Sequence, residues 1–337
     1  LYFIHIEGRM DNNKISEFIK KTNADHGANS VILGTGVRQQ CDTFSTGSLL
    51  VDVATGIGGI PRGRMTEVFG PESSGKTTLA QHVVADAQKK GHKVLYIDSE
   101  NAIDATYASH LGINLDELAI SQPDTAEIGL AIALDAIESG AFGLVVVDSI
   151  AAMVPRVELE GQIGDAHMGV MARLMSQTLR KMTKPASSTN TAVLWINQVR
   201  SKIGVVYGDP NVTTGGRALN FYASMRIKMQ RSTLQKDGTD VLGNTAKVQI
   251  VKNKLAAPFK ECEPEIIYGE GFSKEAEIID LAVDYGLLEK AGSWYSQGGL
   301  KIGQGKETVR QYLQHNPDKT LELEKQIRSN LGLPVGK

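Results

Sequence analysis

Cysteine is nearly absent: the chain of 337 residues has two, Cys41 and Cys262, far apart and without C-x-x-C spacing. This excludes a disulfide framework and a thiolate zinc site, and it points to a reducing cytoplasm. No run approaches about 18 consecutive apolar residues, so the sequence predicts no membrane-spanning helix. An excess of charge of either sign is missing too. With 36 basic and 38 acidic residues the formal net charge is −2, so any nucleic-acid surface has to be local. Internal repeats and low-complexity segments are absent. The first nine residues lack the apolar core of a signal peptide, and Ile6-Glu7-Gly8-Arg9 directly before Met10 reads as a protease-site remnant outside the fold.

The rest is long enough for one large core and a smaller domain, at about 100–200 residues per domain. Residues 10–42 hold Ile15, Phe18 and Ile19 at helical spacing, then the apolar run Val31, Ile32 and Leu33. They predict a helix and a strand outside the main core. From Met65 onward apolar strands alternate with helices, the pattern of an α/β fold with a mostly parallel central sheet covered on both faces. Strands are expected over 65–69, 93–97, 143–148, 192–197, 224–230 and 246–251. One intervening helix carries an Asp124/Glu127 capping box, an apolar stripe of Ile128, Ala131, Ile132 and Ala136, and a closing Gly140. After about Gly271 the sequence turns to short, charged helices ending in 319–331. The expected division is an arm at 10–42, a core at 43–270 and a C-terminal domain at 271–337.

Residues 70–77, GPESSGKT, match G-x-x-x-x-G-K-[ST] directly after the strand ending at Phe69 and before a helix that turns Leu79, Val83 and Ala87 inward. Gly70 and Gly75 permit the backbone angles at which successive N–H groups face phosphate oxygens. Pro71, Glu72, Ser73 and Ser74 lie between them, and Thr78 follows. Lys76 offers a cation to the β- and γ-phosphates and Thr77 a hydroxyl to Mg²⁺. ATP and Mg²⁺ are therefore the expected cofactors. Asp148 ends the run from Leu144 to Val147 and puts a carboxylate at the C-terminal edge of a buried strand, where Mg²⁺ held by Thr77 needs an acceptor. Glu100 follows strand 93–97 at the same edge, where doubly wound sheets bind ligands, and its carboxylate is suited to orient and deprotonate water. Alone, either acid reads as a helix cap or a surface charge; the phosphate loop beside them supports the functional reading.

Two segments suit DNA without global basicity. In 169–184 Met171, Leu174, Thr178 and Met182 share one helical face, while Arg173, Ser176, Arg180 and Lys184 share another. The Gly- and Thr-rich stretch 199–217 is too long for a routine connection and reads as a functional loop, with Arg200, Lys202, Arg217 and the backbone donors of Gly215 and Gly216.

The stretches GPESSGKTT (70–78), SQPDT (121–125), VVVDS (145–149), IGDAHMG (163–169), INQVRSKIG (196–204), TTGGRALNFYAS (213–224), VKNKLAAPFK (251–260) and KIGQGK (301–306) resemble the bacterial RecA family in order and spacing, over about residues 11 to 331. The resemblance implies a RecA-type ATPase core with a short N-terminal polymerisation helix and strand and a small C-terminal α/β domain. It also implies a head-to-tail helical filament of the chain with itself on single-stranded DNA. Such a filament hydrolyses ATP, exchanges strands with homologous double-stranded DNA, and promotes self-cleavage of a LexA-type repressor in the SOS response. By the same resemblance Glu100 is the catalytic base, Gln198 senses the γ-phosphate, and Asp104 and Tyr107 flank the adenine. Lys252 and Lys254 reach the neighbouring subunit's γ-phosphate, and Tyr268 and Gly269 meet that nucleotide from the neighbour's side. Met168 and Ile203 are similar to the apolar wedges between base triplets, with Gly169, Arg173, Ser176 and Arg180 nearby. Apolar wedges and backbone contacts fit sequence-independent binding.

Some positions depart from the family pattern. Where a basic cluster commonly serves the second DNA, Arg231 and Lys247 are kept but Gln230 and Gln249 stand, so weaker affinity for incoming duplex is expected. The 337 residues stop at Pro334-Val335-Gly336-Lys337 and do not include the acidic tail common in the family. A ring-forming ATPase with the same core is the main alternative, and a detachable helix and strand before the core favours an open filament. A small-molecule kinase lacks support, since no lid segment is evident. Lys76→Ala, which removes the cation but leaves the apolar core intact, is expected to abolish ATP hydrolysis. Near-parent turnover by the folded variant in a phosphate-release assay would remove the phosphate-loop reading.

Overall fold

The computed structural model describes residues 12–28, 30–34, 41–162, 165, 169–201, 211–237 and 240–333. The chain divides into two compact units, residues 1–41 and 42–337. In the first, α1 (Asn12–His26) forms as its spacing predicts, with Ile15 and Ile19 half-buried and Phe18 exposed. The strand expected at 31–33 is not there. The Asn23 side chain accepts from the Val31 N–H at 2.8 Å and donates to the Val31 carbonyl at 3.0 Å, and Ile32 and Leu33 are exposed. A strand needs a partner edge, and among the described residues of this unit there is none.

The larger unit opens with β1 (Thr43–Phe44), α2 (Leu49–Thr55) and β2 (Ile60–Pro61), β1 and β2 pairing antiparallel. Next, β3 (Met65–Gly70) leads through the phosphate loop into α3 (Lys76–Lys89), followed by β4 (Val94–Asp98), α4 (Ala105–His110), β5 (Leu118–Ser121) and α5 (Ala126–Ser139). Then come β6 (Leu144–Asp148), α6 (Arg156–Glu160), α7 (Val170–Thr189) and β7 (Ala192–Ser201). After β8 (Asn211–Thr213) and α8 (Ala218–Tyr222), β9 (Met225–Asp237) and β10 (Asp240–Asn253) form a long antiparallel hairpin, with β11 (Glu261–Cys262), β12 (Glu265–Ile267) and β13 (Gly271–Phe272) beyond it. The main sheet has eleven strands in the order β13-β12-β10-β9-β3-β7-β6-β4-β5, with β11 on β10 and β8 on β7. From β9 to β5 every pairing is parallel, so the expected α/β class holds.

The central strands β4 and β6 are buried along their whole length and apolar up to their last residue, because both faces are covered. Alternate residues of β6 serve opposite sides: Leu144 and Val146 pack with Leu79, Val83 and Ile227, while Val145 and Val147 pack with Leu130, Leu179 and Trp195. Burying one such side chain stabilises the fold by about 1.5–3 kcal/mol.

Four readings change in the structure. Thr125, not Asp124, caps α5 through its hydroxyl, and the packed face is Ala126, Gly129, Leu130, Ala133, Ala136 and Ile137; Ile128 is exposed, because the face carrying Leu130, Ala133 and Ile137 is the one that packs in the cluster with Leu179 and Met182. In α7 the buried stripe is Met175, Leu179, Met182 and Ala186, with Met171 and Leu174 only packed at its margin. The hairpin β9–β10 runs far past 224–230 and 246–251, since Arg231 to Leu234 are exposed; beyond the core the ladder alone holds the strands, and apolar alternation gives no signal there. The stretch 199–217 is less irregular than expected: Val199, Arg200 and Ser201 pair with Thr213, Val212 and Asn211.

The C-terminal part holds α9 (Lys274–Asp284), a three-stranded sheet of β14 (Glu289–Ala291), β15 (Trp294–Gln297) and β16 (Leu300–Gln304), then α10 (Lys306–His315) and α11 (Pro317–Asn330). The small C-terminal α/β domain that the resemblance implies is there; the residue pattern by itself marked only its helices, because these strands are short and largely exposed. Leu49 of α2 joins Ile278, Ile279, Leu313 and Ile327 in one apolar cluster. Beside it lies a buried polar seam. Asp52 accepts from Ser45 Oγ at 2.6 Å, from Thr46 N at 2.8 Å and from Arg328 at 2.9 Å. Glu277 accepts from Ser48 Oγ at 2.7 Å and from Leu50 N at 3.1 Å.

Burial pushes Glu277 up to about 8 from an ordinary 4.5, against the hydrogen bonds from Ser48, Leu50 and Leu49 and with a small addition from Asp52. The folded chain therefore holds a proton that the unfolded chain releases between those values, so this group's contribution to stability falls as pH rises from 4.5 to 8. Glu277→Gln is expected to raise the melting temperature relative to the parent by an amount that grows from pH 5 to pH 8. A difference independent of pH would contradict a buried, protonated Glu277.

Candidate nucleotide site and nucleic-acid surface

β3 ends at Gly70, where a Cβ would collide with the Met229 carbonyl oxygen of β9. The loop then turns through positive φ at Ser73 (56°) and Gly75 (87°) to start α3, whose N-terminal N–H groups form an anion-binding end. Lys76 lies along the loop, its Nζ donating to the Pro71 carbonyl at 2.6 Å, and Ser74 Oγ donates to the same oxygen at 2.8 Å. Burial pushes the Lys76 amine down, opposed by Asp148, Glu100 and Glu72. The loop is thus preformed around a cation that an incoming polyphosphate can take over.

Thr77 Oγ1 and Tyr96 OH each donate to Asp148 Oδ2 at 2.8 Å. Burial pushes Asp148 up, against these two hydrogen bonds. A buried carboxylate touching a hydroxyl is a fitting donor set for Mg²⁺, and no larger cluster of acidic, His or Cys ligands occurs among the described residues. Two protein oxygens completed by phosphates and water are what Mg²⁺ ordinarily takes in such sites.

Glu100 Oε1 accepts from Ser149 Oγ at 2.5 Å and from Gln198 Nε2 at 3.1 Å. The turn bearing Glu100 is held by Asp98, which accepts from the N–H groups of Ala102 and Ile103 and from Gln122 Nε2, each at 3.2 Å. Asp104 caps α4, accepting from Thr106 N at 2.8 Å and Tyr107 N at 3.0 Å. Tyr107 OH donates to Thr78 Oγ1 at 3.3 Å, which sets the ring beside the start of α3. Lys76, Thr77, Thr78, Glu100, Tyr107, Asp148 and Gln198 are thus brought to one edge of the sheet.

Lys252 and Lys254 go elsewhere. Lys252 is level with Arg226 and Glu67, toward the start of β3, whereas the phosphate loop leaves its end. Its Nζ donates to the carbonyls of Asn220 at 2.6 Å and Phe221 at 3.1 Å, and Lys254 Nζ reaches the Phe221 carbonyl at 3.5 Å. Burial, with Lys254 and Arg226 nearby, pushes the Lys252 amine down. The two do not share one strand, since β10 ends at Asn253. Tyr268 and Gly269 are exposed on the turn after β12.

On the nucleic-acid side, Gly169 caps α7 at φ 79°, Arg173 and Arg180 are exposed along it, and Ser176 lines a cavity of about 410 Å³ with Arg217, Ala172, Ala218, Phe221 and Tyr222. Gly215 and Gly216, both at positive φ, let the chain press on α7: a Cβ on Gly216 would stand 2.8 Å from that of Ala172. Arg200 is placed by the backbone of β7; Met168, Lys202 and Ile203 lie outside the described residues. Glu261 ties up part of the second basic cluster, pairing with Lys247 at 2.9 Å and accepting from Gln249, while Arg231 is exposed.

Sequence reasoning overlooked Tyr96, Ser149, Asn197 and Glu67. The signal for Glu67 was available: a carboxylate inside the strand MTEVFG is unusual for a buried segment. It is fully buried and accepts from Arg226 Nε at 2.5 Å and Asn197 Nδ2 at 2.9 Å.

Residues 13–273 match the RecA N-terminal domain and residues 276–332 the RecA C-terminal domain. Protein RecA of Levilactobacillus brevis is 51% identical over 320 residues, covering 95% of this chain and 85% of that protein. Protein RecA of Rhodococcus opacus is 53% identical over 301 residues, covering 89% and 86%. For Protein RecA of Syntrophus aciditrophicus the identity is 52% over 305 residues, covering 90% and 89%. Similarity of this degree along nearly the whole length, added to a preformed phosphate loop at the edge of a mostly parallel sheet, establishes that the chain belongs to the RecA family.

Proposed function

We propose that this RecA-family chain, an ATPase of DNA recombination and repair, assembles as a head-to-tail helical filament on single-stranded DNA, searches homologous duplex and exchanges strands. Promotion of self-cleavage by a LexA-type repressor is a second output of the same filament. The division into an arm at 10–42, a core at 43–270 and a C-terminal domain at 271–337 suits this assembly, and the scarcity of cysteine suits a reducing cytoplasm. The observation that carries the reading is the hydrogen bond between Gln198 and Glu100, because it joins the carboxylate suited to activate water to the residue directly before the segment suited to meet DNA.

In this reading Lys76 and the N–H groups at the start of α3 hold the β- and γ-phosphates, with Gly70, Pro71, Glu72, Ser73, Ser74, Gly75 and Thr78 shaping the cradle. Thr77 and Asp148 hold Mg²⁺, which neutralises charge on the phosphates when bound. Asp104 and Tyr107 border the adenine, the ring of Tyr107 serving as a stacking surface. Glu100 takes the proton of the attacking water. Ser149 and Gln198 both donate to its Oε1, which occupies that oxygen; once DNA orders the segment after Gln198, that amide turns to the γ-phosphate and the oxygen is freed for water. Arg173, Ser176, Arg180, Arg200, Lys202 and Arg217 meet phosphates, with Gly169, Gly215 and Gly216 offering backbone donors and Met168 and Ile203 acting as wedges. Lys252 and Lys254 act on the ATP of the adjacent subunit, together with Tyr268 and Gly269; their place toward the start of β3, away from their own phosphate loop, supports action in trans. Pairing of Lys247 with Glu261 supports weak capture of the incoming duplex.

Glu100→Gln keeps the shape of the side chain but not its basicity, so ATP is expected to bind while hydrolysis slows at least tenfold and filaments persist longer. An unchanged turnover rate would mean another group takes the proton. Lys252→Ala with Lys254→Ala is expected to keep monomer affinity for ATP but lose DNA-stimulated hydrolysis. Mixing that double variant with Glu100→Gln joins an intact carboxylate to an intact lysine pair at some junctions, so activity is expected to return in part. Joint filaments with no rate above the two parents would exclude action in trans.

A further inference from the structure

Four neighbouring strands carry one continuous polar line. At the sheet edge that holds the phosphate loop, the Asn197 side chain of β7 accepts from Gln198 N at 2.9 Å and donates to the Thr214 carbonyl at 3.0 Å, bracketing the segment suited to meet DNA. Its amide also donates to Glu67 of β3 at 2.9 Å. The other carboxylate oxygen of Glu67 accepts from Arg226 of β9 at 2.5 Å, and Arg226 stacks over Phe69 with its guanidinium 4.5 Å from the ring centre. Across from Arg226 in register stands Lys252 of β10. An extra residue in β10 between Ile250 and Lys252 creates that pairing, and such bulges re-aim side chains. Two cations directly opposite each other on a ladder repel, and Glu67 is the buried anion beside them.

We propose that Glu67 is a positioning residue for hydrolysis in the adjacent subunit: it ties the base of the DNA-ordered segment, through Asn197, to Arg226 and hence to the stance of Lys252. The inference rests on the reading above that Lys252 and Lys254 act in trans. This carboxylate is fully buried, and its two oxygens are taken up by Asn197 and Arg226. Its two oxygens are divided between a group at the phosphate-loop edge and one level with the lysines. When the segment after Gln198 is ordered, Asn197 is fixed, Glu67 follows it, and the charge that offsets Arg226 is set. Lys252 then keeps its place at the end of α8, facing outward from the subunit.

Glu67→Gln keeps an acceptor for Asn197 but removes the charge that offsets Arg226. In the full chain the expected result is at least a tenfold loss of DNA-stimulated ATP hydrolysis, with monomer ATP affinity within about twofold of the parent. The deciding measurement is a mixture with Glu100→Gln. ATP bound to a Glu67→Gln subunit then lies next to lysines positioned by an intact Glu67, so hydrolysis should return to about a quarter of the parent rate, the share of head-to-tail junctions that pair the intact halves at random. A role for Glu67 only in its own fold or its own ATP site gives no return, because nothing in the neighbour repairs it. If the lysine variant is rescued by Glu100→Gln and Glu67→Gln either keeps parent activity alone or is not rescued, the inference is overturned while action in trans stands. If the lysine variant itself is not rescued, the reading beneath falls and this inference with it. Should Glu67→Gln fail to fold by circular dichroism, Glu67→Asp, which keeps the charge and shortens the reach, takes its place in both assays.

Discussion

The parallel register of β4, β6, β7 and β3 is the constraint from which the site follows. Asp98 pairs with Asp148, Val147 with Trp195, and Gly70 with Gln198, so four chain segments leave the sheet at one edge and at nearly one level. Parallel strands require crossovers, and α3, α5 and α7 supply them while covering both faces. The chain at that edge carries the lysine and the hydroxyl at the start of α3, one carboxylate at the end of β6, the other after β4, and the amide in β7. Their meeting is a consequence of strand direction, and a single reversed strand would separate Glu100 from Gln198.

Charge is used differently in the interior and at the surface. Glu67 with Arg226 and Asp52 with Arg328 are buried pairs between elements distant in sequence, and removing one member of such a pair costs about 3–5 kcal/mol because the other is left without compensation. Surface pairs such as Lys93 with Glu117 contribute about 0–1 kcal/mol. The interior pairs therefore specify how elements seat on one another, whereas the pairing of Lys247 with Glu261 lies at the surface and changes mainly the charge that β10 presents to solvent. Glu277 has no cation beside it among the described residues and is held by hydroxyl and backbone donors, which makes the seam between α2 and α9 sensitive to protons.

Local conformation contributes at a few points where no other arrangement would serve. Gly75 at φ 87° begins α3 with its absent Cβ facing Ile266, and the pair Gly215 and Gly216 brings the chain down on Ala172 and Met175. These contacts couple the candidate nucleic-acid surface to α7 without a side chain of their own, and they place Arg217 beside Ser176 across one cavity. Here a lack of side chain is what lets the two segments approach so closely.

The sequence by itself determined the phosphate loop, the buried parallel strands and the acid at the end of β6, because these are written in contiguous residues or in a period that burial imposes. It also determined that α3 turns Leu79, Val83 and Ala87 inward. It could not settle the short exposed strands of the C-terminal sheet or the outer half of β9 and β10, where the backbone ladder persists without an apolar face to mark it. Nor did it decide the cap of α5 to the residue, since Asp124 and Thr125 are both able to cap. The pairing of Gln198 with Glu100, the station of Lys252 toward the start of β3 and the line through Asn197, Glu67 and Arg226 were decided only by the tertiary structure. Each depends on the register between strands far apart in the chain, and a one-residue slip in any of them would turn the same side chains to the other face.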